Sequence, residues 1–371
     1  MKHKIYLDNN ASTPIAPEAI EAMRPFLTGH YGNPSSSHWA GIPAKVAVEK
    51  ARRQIADLIG CDPSEIIFTS GGTEANNHAL KGVFFANRNK GSHIITTSVE
   101  HPAILNPCRF LEKLGATVTV LPVDRFGMVD PDAVGRAVTS GTILISVMHA
   151  NNEVGTIQPI SKIAAIARET GVLFHTDAAQ SIGKIPADVN ELGVDLLSVA
   201  GHKLYAPKGI GALYIKKATE LEPLIHGAGH EGGRRAGTEN VLLAVALGAA
   251  CSIANILNDT ARIQEMRDRF WKKLRETFED KVSLNGHPTE RLPNTLNVNF
   301  IGRTGADILA NIPEVAASTG SACHSGSVNL SPVLAAMGVP PKEGMGAIRF
   351  SLGRYTTSED IEYVHDLLRR P

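Results

Sequence analysis

The chain has 371 residues, of which 43% are hydrophobic and 20% charged, and Lys plus Arg balances Asp plus Glu at 37 each. Such a length exceeds the usual single core and predicts two lobes, the ordinary composition excludes a fibrous or disordered chain, and the even charge excludes the positive field that nucleic-acid binders use. Cys61, Cys108, Cys251 and Cys323 lie far apart with no C-x-x-C spacing, which indicates neither a zinc knot nor a disulfide framework and fits a reducing cytoplasm.

In chain order, MKHKIYLDNN lacks the apolar core of a secretory signal, and no later run approaches the ~18 apolar residues of a membrane span. From about residue 60 to 215, short apolar β-branched runs alternate with longer amphipathic segments, the pattern of an α/β unit with a mainly parallel sheet. The predicted strands are Glu65–Thr69, His93–Thr97, Thr117–Leu121, Ile143–Met148, Leu173–Thr176, Leu196–Val199 and Gly211–Ile215. A helical stretch from Thr238 to about Phe278, with few breakers, is expected to carry the chain into a smaller second domain. There LPNTLNVNF and AIRFSLG read as strands, with helices around Ala306 and Glu359, giving an α+β lobe.

Three segments carry chemistry. In IIFTSGGTEANN a strand ending at Thr69 passes through Gly71 and Gly72 into a helix beginning near Thr73. Glycines let the backbone approach an anion, the helix start offers free N–H groups, and Thr73 adds a hydroxyl. Standing alone, the stretch reads first as a Gly-containing turn with Thr73 as N-cap. It is not a Walker loop, and the G-x-G-x-x-G at Gly227, Gly229 and Gly232 follows no convincing strand and runs into Arg234 and Arg235. In GVLFHTDAAQ a strand delivers Asp177 and Gln180 at its C-terminal end, where ligand sites of open α/β sheets lie. A carboxylate there needs a cation or several donors, and a pyridinium nitrogen serves; a plain helix cap is the alternative. In DLLSVAGHKLYAPKG, Lys203 follows another strand and is flanked by His202. Most lysines are solvated, but one at a strand end beside a phosphate cradle and a strand-end Asp is placed as a Schiff-base lysine. The three in this order predict a pyridoxal phosphate enzyme acting on a small amino acid.

YLDNNASTP, GNPSSSH, FTSGGTEANN, SVEH, NNEVG, HTDAAQ, GHKLYAPKG, GGRRAGTEN, SACHSGS and IRFSLGR, in one order over nearly the whole chain, resemble the cysteine desulfurases. These belong to the aminotransferase class V group, with the fold-type I architecture of pyridoxal phosphate enzymes. The resemblance implies a large domain with a mainly parallel seven-stranded sheet over residues 16–255. It also implies a small C-terminal domain over 256–371 carrying the cysteine loop, and an N-terminal segment, 1–15, packing with that small domain. By resemblance, Lys203 would carry the cofactor, Asp177 would hold its ring nitrogen, and Gln180 and Asn152 would meet the ring's hydroxyl side or the substrate. His101 would stack on the ring. Gly72, Thr73 and His202 would bind the phosphate, and Thr238 the phosphate of a neighbouring subunit, which implies a homodimer. Arg349, with help from Asn33, would clamp the substrate carboxylate. Cys323, in a Gly/Ser-rich segment suited to a mobile loop, would attack the substrate sulfur, leaving a persulfide and alanine, with Lys203 and His101 moving protons.

Two residues depart from the family. Ala200 stands three residues before Lys203, where many relatives have a phosphate-binding Ser. His324 follows the cysteine where Thr or Ser is usual, and A-C-H-S followed by S-P-V-L is similar to selenocysteine lyases, leaving L-selenocysteine as the alternative substrate. The resemblance associates the chain with iron-sulfur cluster assembly and a sulfur-acceptor protein, but LLRRP follows soon after the last expected helix, without the longer tail by which some relatives engage a scaffold protein, so a scaffold partner is not assumed. A sulfur carrier without turnover is a weaker alternative. A metal-dependent hydrolase rests only on 14 histidines, with no H-E-x-x-H, so no metal site is expected.

Overall fold

The computed structural model describes residues 4–256, 259–319, 321–324 and 327–370, with the side chains of 255, 256, 321–324 and 327–329 outside the description. Runs such as IIFT and LLSVA show no polar alternation because they are buried on both faces. Seven such segments form one sheet: β1 (Ile66–Thr69), β2 (His93–Thr97), β3 (Thr117–Leu121), β4 (Thr142–Ser146), β5 (Leu173–Asp177), β6 (Leu196–Ala200) and β7 (Gly211–Ile215). Their spatial order is β1-β7-β6-β5-β4-β2-β3. Every neighbouring pair is parallel except the two made by β7. The helices that matter to the site and its support are α1 (Pro17–Thr28), α2 (Gly41–Ile59), α3 (Gly72–Ala86), α4 (Pro102–Glu112), α5 (Ile160–Thr170), α6 (Val241–Ile256), α7 (Thr260–Phe278) and α8 (Ser358–Leu368).

Successive strand residues point to opposite faces. Phe68, Phe174, Leu197 and Val199 pack with α2, α5 and α6, whereas Ile67, Ile94, Leu144 and Leu213 pack with α3 and α4. A second core surrounds a four-stranded antiparallel sheet of β8 (Val282–Asn285), β9 (Thr295–Phe300), β10 (Ser318–Thr319) and a last strand, Ala347–Ser351. Leu296, Val298, Ile348 and Phe350 of that sheet bury against Phe270 of α7 and Ile361 and Val364 of α8. The N-terminal segment touches both cores: Ile5–Tyr6 pairs parallel with Val315–Ala316, and the Thr13 amide donates to the His202 carbonyl at 2.8 Å.

Two expectations change. The stretch from Thr238 to Phe278 is not one helix: Thr238 precedes α6, and Asp259 stands at the N-cap of α7. Asp259 is a weak helix former, better suited to a helix start than to an interior. The segment around Cys323, expected as a loop, pairs as an antiparallel hairpin of β11 (Ser321–His324) and β12 (Ser327–Leu330), Cys323 opposite Val328. The Cys323 and His324 side chains lie outside the described residues. Among the described residues no helix is long and apolar enough to cross a membrane.

Candidate active site

The carboxyl ends of β1, β4, β5 and β6 open on a cavity of about 320 Å³, lined by Gly72, His101, Asn152, Asp177, Lys203 and Arg349 among others. At its floor, β1 turns into α3 through Gly71, whose φ of 151° suits only glycine. A side chain at Gly72 would bring a Cβ to 3.1 Å from the Ala200 Cβ, so the backbone N–H groups of the helix start stay uncovered. Glu74 accepts from the Ser70 amide at 2.8 Å and pairs with Arg235 at 2.9 Å.

Asp177, 6% exposed, emerges from β5 and pairs with no cation among the described residues. One carboxylate oxygen accepts from Asn76 Nδ2 at 2.6 Å and the other from the Ala179 amide at 2.9 Å. Lys203 follows β6, and its Nζ donates to the carbonyls of Asn10 (2.5 Å) and Ala11 (2.8 Å). Burial, aided by the Arg349 charge and opposed by Asp8 and Asp177, brings the Lys203 ammonium down to about 8. At pH 7.5 roughly a quarter of Lys203 is then free amine, against about a thousandth for an ordinary lysine. Desolvation and then Lys203 push His202 down to about 4, so it is neutral near pH 7. His101 caps α4, its Nδ1 accepting from the Ala103 amide at 3.1 Å, which leaves the proton of the neutral ring on Nε2. Desolvation, opposed by Asp177 and aided by the Lys203 charge, lowers its pKa although the ring is accessible through the open cavity. Arg349, from the middle of the last strand, donates to the Asn152 carbonyl at 2.8 Å and pairs with Asp8 at 2.7 Å. Its Nε is buried without a partner among the described residues.

Nine of the predicted residues thus come together, since Gly72, Thr73, His101, Asn152, Asp177, Gln180, His202, Lys203 and Arg349 line the cavity, and Ala200 lies beside them. Asn33 and Thr238 do not join them. Asn33 is exposed, its Oδ1 accepting from the Ser35 amide at 2.9 Å, and Thr238 is exposed on the loop after β7. Asp8, Asn10, Asn76 and Ser318 were missed as site residues. Asp8 and Asn10 stand inside YLDNNASTP, but their partners, Arg349 and Ser351, are over 300 positions away and nothing local points to them.

The aminotransferase class-V family model matches residues 5–364. A cysteine desulfurase IscS of Dictyoglomus turgidum is 52% identical over 374 aligned residues, covering 100% of this chain and 95% of the relative. The chain belongs to the cysteine desulfurases of the class-V aminotransferase family. Another desulfurase of that name, from Methanosarcina thermophila, is 50% identical over 98% of this chain and 91% of its own. Among solved structures, a NifS-like protein superposes with a TM-score of 0.92 at 37% identity, covering 99% of this chain and 98% of its own. A structure described as SspA in complex with cysteine gives 0.85 at 40% identity, covering 95% and 100%. This desulfurase is therefore a fold-type I enzyme that depends on pyridoxal phosphate. Its cavity fits that group: an uncovered helix start for the phosphate, a buried carboxylate lacking a cation for the ring nitrogen, and a lysine with a depressed pKa for the aldehyde.

Proposed function

We propose that the enzyme converts L-cysteine to L-alanine and keeps the sulfur as a persulfide on Cys323. The substrate's Cβ–S bond breaks and an S–S bond to Cys323 forms, so cysteine plus enzyme thiol equals alanine plus enzyme persulfide, with no outside oxidant or reductant. The observation that carries this reading is the convergence of Lys203, Asp177 and Arg349 on one cavity. When bound there, pyridoxal phosphate supplies an electron sink for charge developing at the substrate's Cα. Gly72, Thr73 and His202 would hold its phosphate, Asp177 its ring nitrogen, Asn152 and Gln180 its hydroxyl edge, and His101 its ring face. The Arg349 guanidinium would orient the substrate carboxylate. Lys203 Nζ, partly unprotonated near neutral pH, would take the proton from Cα, and His101 would shuttle a proton through Nε2.

Thr238 would complete the phosphate site of a second copy in a homodimer. Its exposure supports that reading, as do the exposed apolar side chains Leu27, Tyr31, Trp39 and Val46 on and near α1 and α2. Asn33 belongs to the same segment, and we keep it as an accessory to Arg349 only in that assembled form. The two separate cores support a large unit over 16–255 and a small one over 256–371, with 1–15 strapped to the small one. Cys61, Cys108 and Cys251 are free, in keeping with a cytoplasmic enzyme that passes sulfur to an acceptor protein. Parallel assays of L-cysteine and L-selenocysteine, with alanine as the common product, test the substrate. Alanine and a Cys323 persulfide from L-cysteine uphold the proposal; alanine from L-selenocysteine alone replaces it with the lyase reading.

A further inference from the structure

Lys184 lies four residues after Gln180, in the turn that leaves β5, and none of the roles above uses it. It is half-buried, with its Nζ turned inward: it donates to Gln180 Oε1 at 3.0 Å and reaches Asn10 Oδ1 at 3.5 Å. The charged groups that face it are the Lys203 ammonium and the Arg349 guanidinium, both cations, and neither of its hydrogen-bond partners is a carboxylate. Burial, with those two charges, brings its ammonium down to about 7. A cation placed among cations works against folding, and such local conflicts gather at functional sites.

Its partner shows what it does. A glutamine amide can sit in either of two orientations, exchanging donor and acceptor ends. Gln180 Nε2 donates to the Asn10 carbonyl at 2.9 Å, the same oxygen that accepts from Lys203 Nζ at 2.5 Å. Turned end for end, Gln180 would set its NH₂ group against the Lys184 ammonium and its oxygen against the Asn10 carbonyl. The oxygen–oxygen contact would be repulsive at any pH, and the contact with Lys184 wherever that lysine is charged. Asn10 is itself held, its Oδ1 accepting from Asn294 Nδ2 at 3.0 Å and its Nδ2 donating to Thr295 Oγ1 at 2.8 Å.

We propose that Lys184 is a positioning residue: it locks the Gln180 amide with its NH₂ end on the Asn10 carbonyl that also accepts from Lys203, the orientation from which the second N–H of that group would meet the hydroxyl-bearing edge of the pyridoxal ring. This rests on the pyridoxal phosphate reading of the cavity. The test is equilibrium binding of pyridoxal phosphate to the apoprotein, followed by visible absorption, for wild type, Lys184→Met, Gln180→Ala and the double variant. Methionine keeps the length of the side chain without its charge. Lys184→Met is expected to bind roughly tenfold more weakly, the worth of one good hydrogen bond, with a displaced visible band and an apoprotein that melts close to wild type. The double variant is expected to bind no more weakly than Gln180→Ala, because Lys184 acts through Gln180. Wild-type affinity and spectrum in Lys184→Met, or losses that multiply in the double variant, would overturn the proposal. If Lys184→Met does not fold, Lys184→Arg, which keeps the cation, decides: wild-type affinity upholds the role and a tenfold loss overturns it. Wild-type apoprotein that takes up no pyridoxal phosphate would instead remove the cofactor reading itself.

Discussion

Lys203 is held between two main-chain carbonyls, in a position that costs it part of its affinity for protons. A lysine with a folded pKa of about 8 and an ordinary value of 10.5 binds fewer protons folded than unfolded between those limits. Its burial cost is therefore present in full below pH 8 and relieved as pH rises toward 10.5. If Lys203 holds the cofactor, its free amine would be the form that reacts with the aldehyde, and the rate of cofactor uptake by apoprotein is expected to rise with pH through about 8 and then level off. A rate that is flat from about pH 6 to 9 would show that Lys203 is not the group being titrated. Borohydride reduction of the loaded enzyme is expected to fix the cofactor to the peptide containing Lys203, and a reduced adduct on Lys208 would refute the assignment. At this scale the strand-end residues were legible, because a polar residue closing an apolar run stands out. Asn76 was not, since only the fold carries it from the inner face of α3 to Asp177, 101 positions later.

The start of α3 and the loop after β7 are the elements on which the proposed cofactor binding rests. Gly72→Ala would place a Cβ at 3.1 Å from Ala200 and partly cover the N–H groups below the phosphate. It is expected to weaken pyridoxal phosphate binding about tenfold while the apoprotein stays folded, a loss of roughly 1.4 kcal/mol; equal affinity by titration would place the phosphate elsewhere. The loop carrying Thr238 is anchored by Glu231, which has a φ of 50° and a buried pair of hydrogen bonds to Arg52 at 2.7 and 3.0 Å. It also accepts from the Phe68 amide at 2.9 Å. Glu231→Gln would leave the buried Arg52 charge with only the half-exposed Glu49, at 3.3 Å, as counter-ion, at a cost of up to roughly 3 kcal/mol. A drop in melting temperature of several degrees is expected, and scanning calorimetry showing no change would refute the anchoring role. Element positions were largely legible because strands buried on both faces read as unbroken apolar runs. The end of β4 was not: Val147 and Met148 are apolar and buried like strand residues, yet the β4 strand closes at Ser146 before the chain swings into the cavity. The cysteine segment was misread because its Gly and Ser content masks pairing that depends on a partner strand.

Across the whole molecule, the N-terminal strap closes the site by joining the two cores, through Asp8 to Arg349 and through the Asn10 and Ala11 carbonyls to Lys203. Those partners are distant in sequence, so the motif YLDNNASTP was visible and its purpose was not. The second copy proposed for Thr238 belongs to this scale too. Sedimentation is expected to show a dimer, with Thr238→Ala losing cofactor faster on dialysis; a monomer that retains both cofactor and activity would end the shared-site reading. The central claim is that one cavity carries both the amino-acid chemistry and the transfer of sulfur to Cys323. It is tested most directly by mixing the loaded enzyme with L-cysteine, then measuring alanine and the mass of the Cys323 peptide, in wild type and Cys323→Ala. Wild type is expected to release alanine and gain one sulfur atom on that peptide, whereas Cys323→Ala keeps its cofactor spectrum but makes neither product. Undiminished desulfuration by Cys323→Ala would contradict the account.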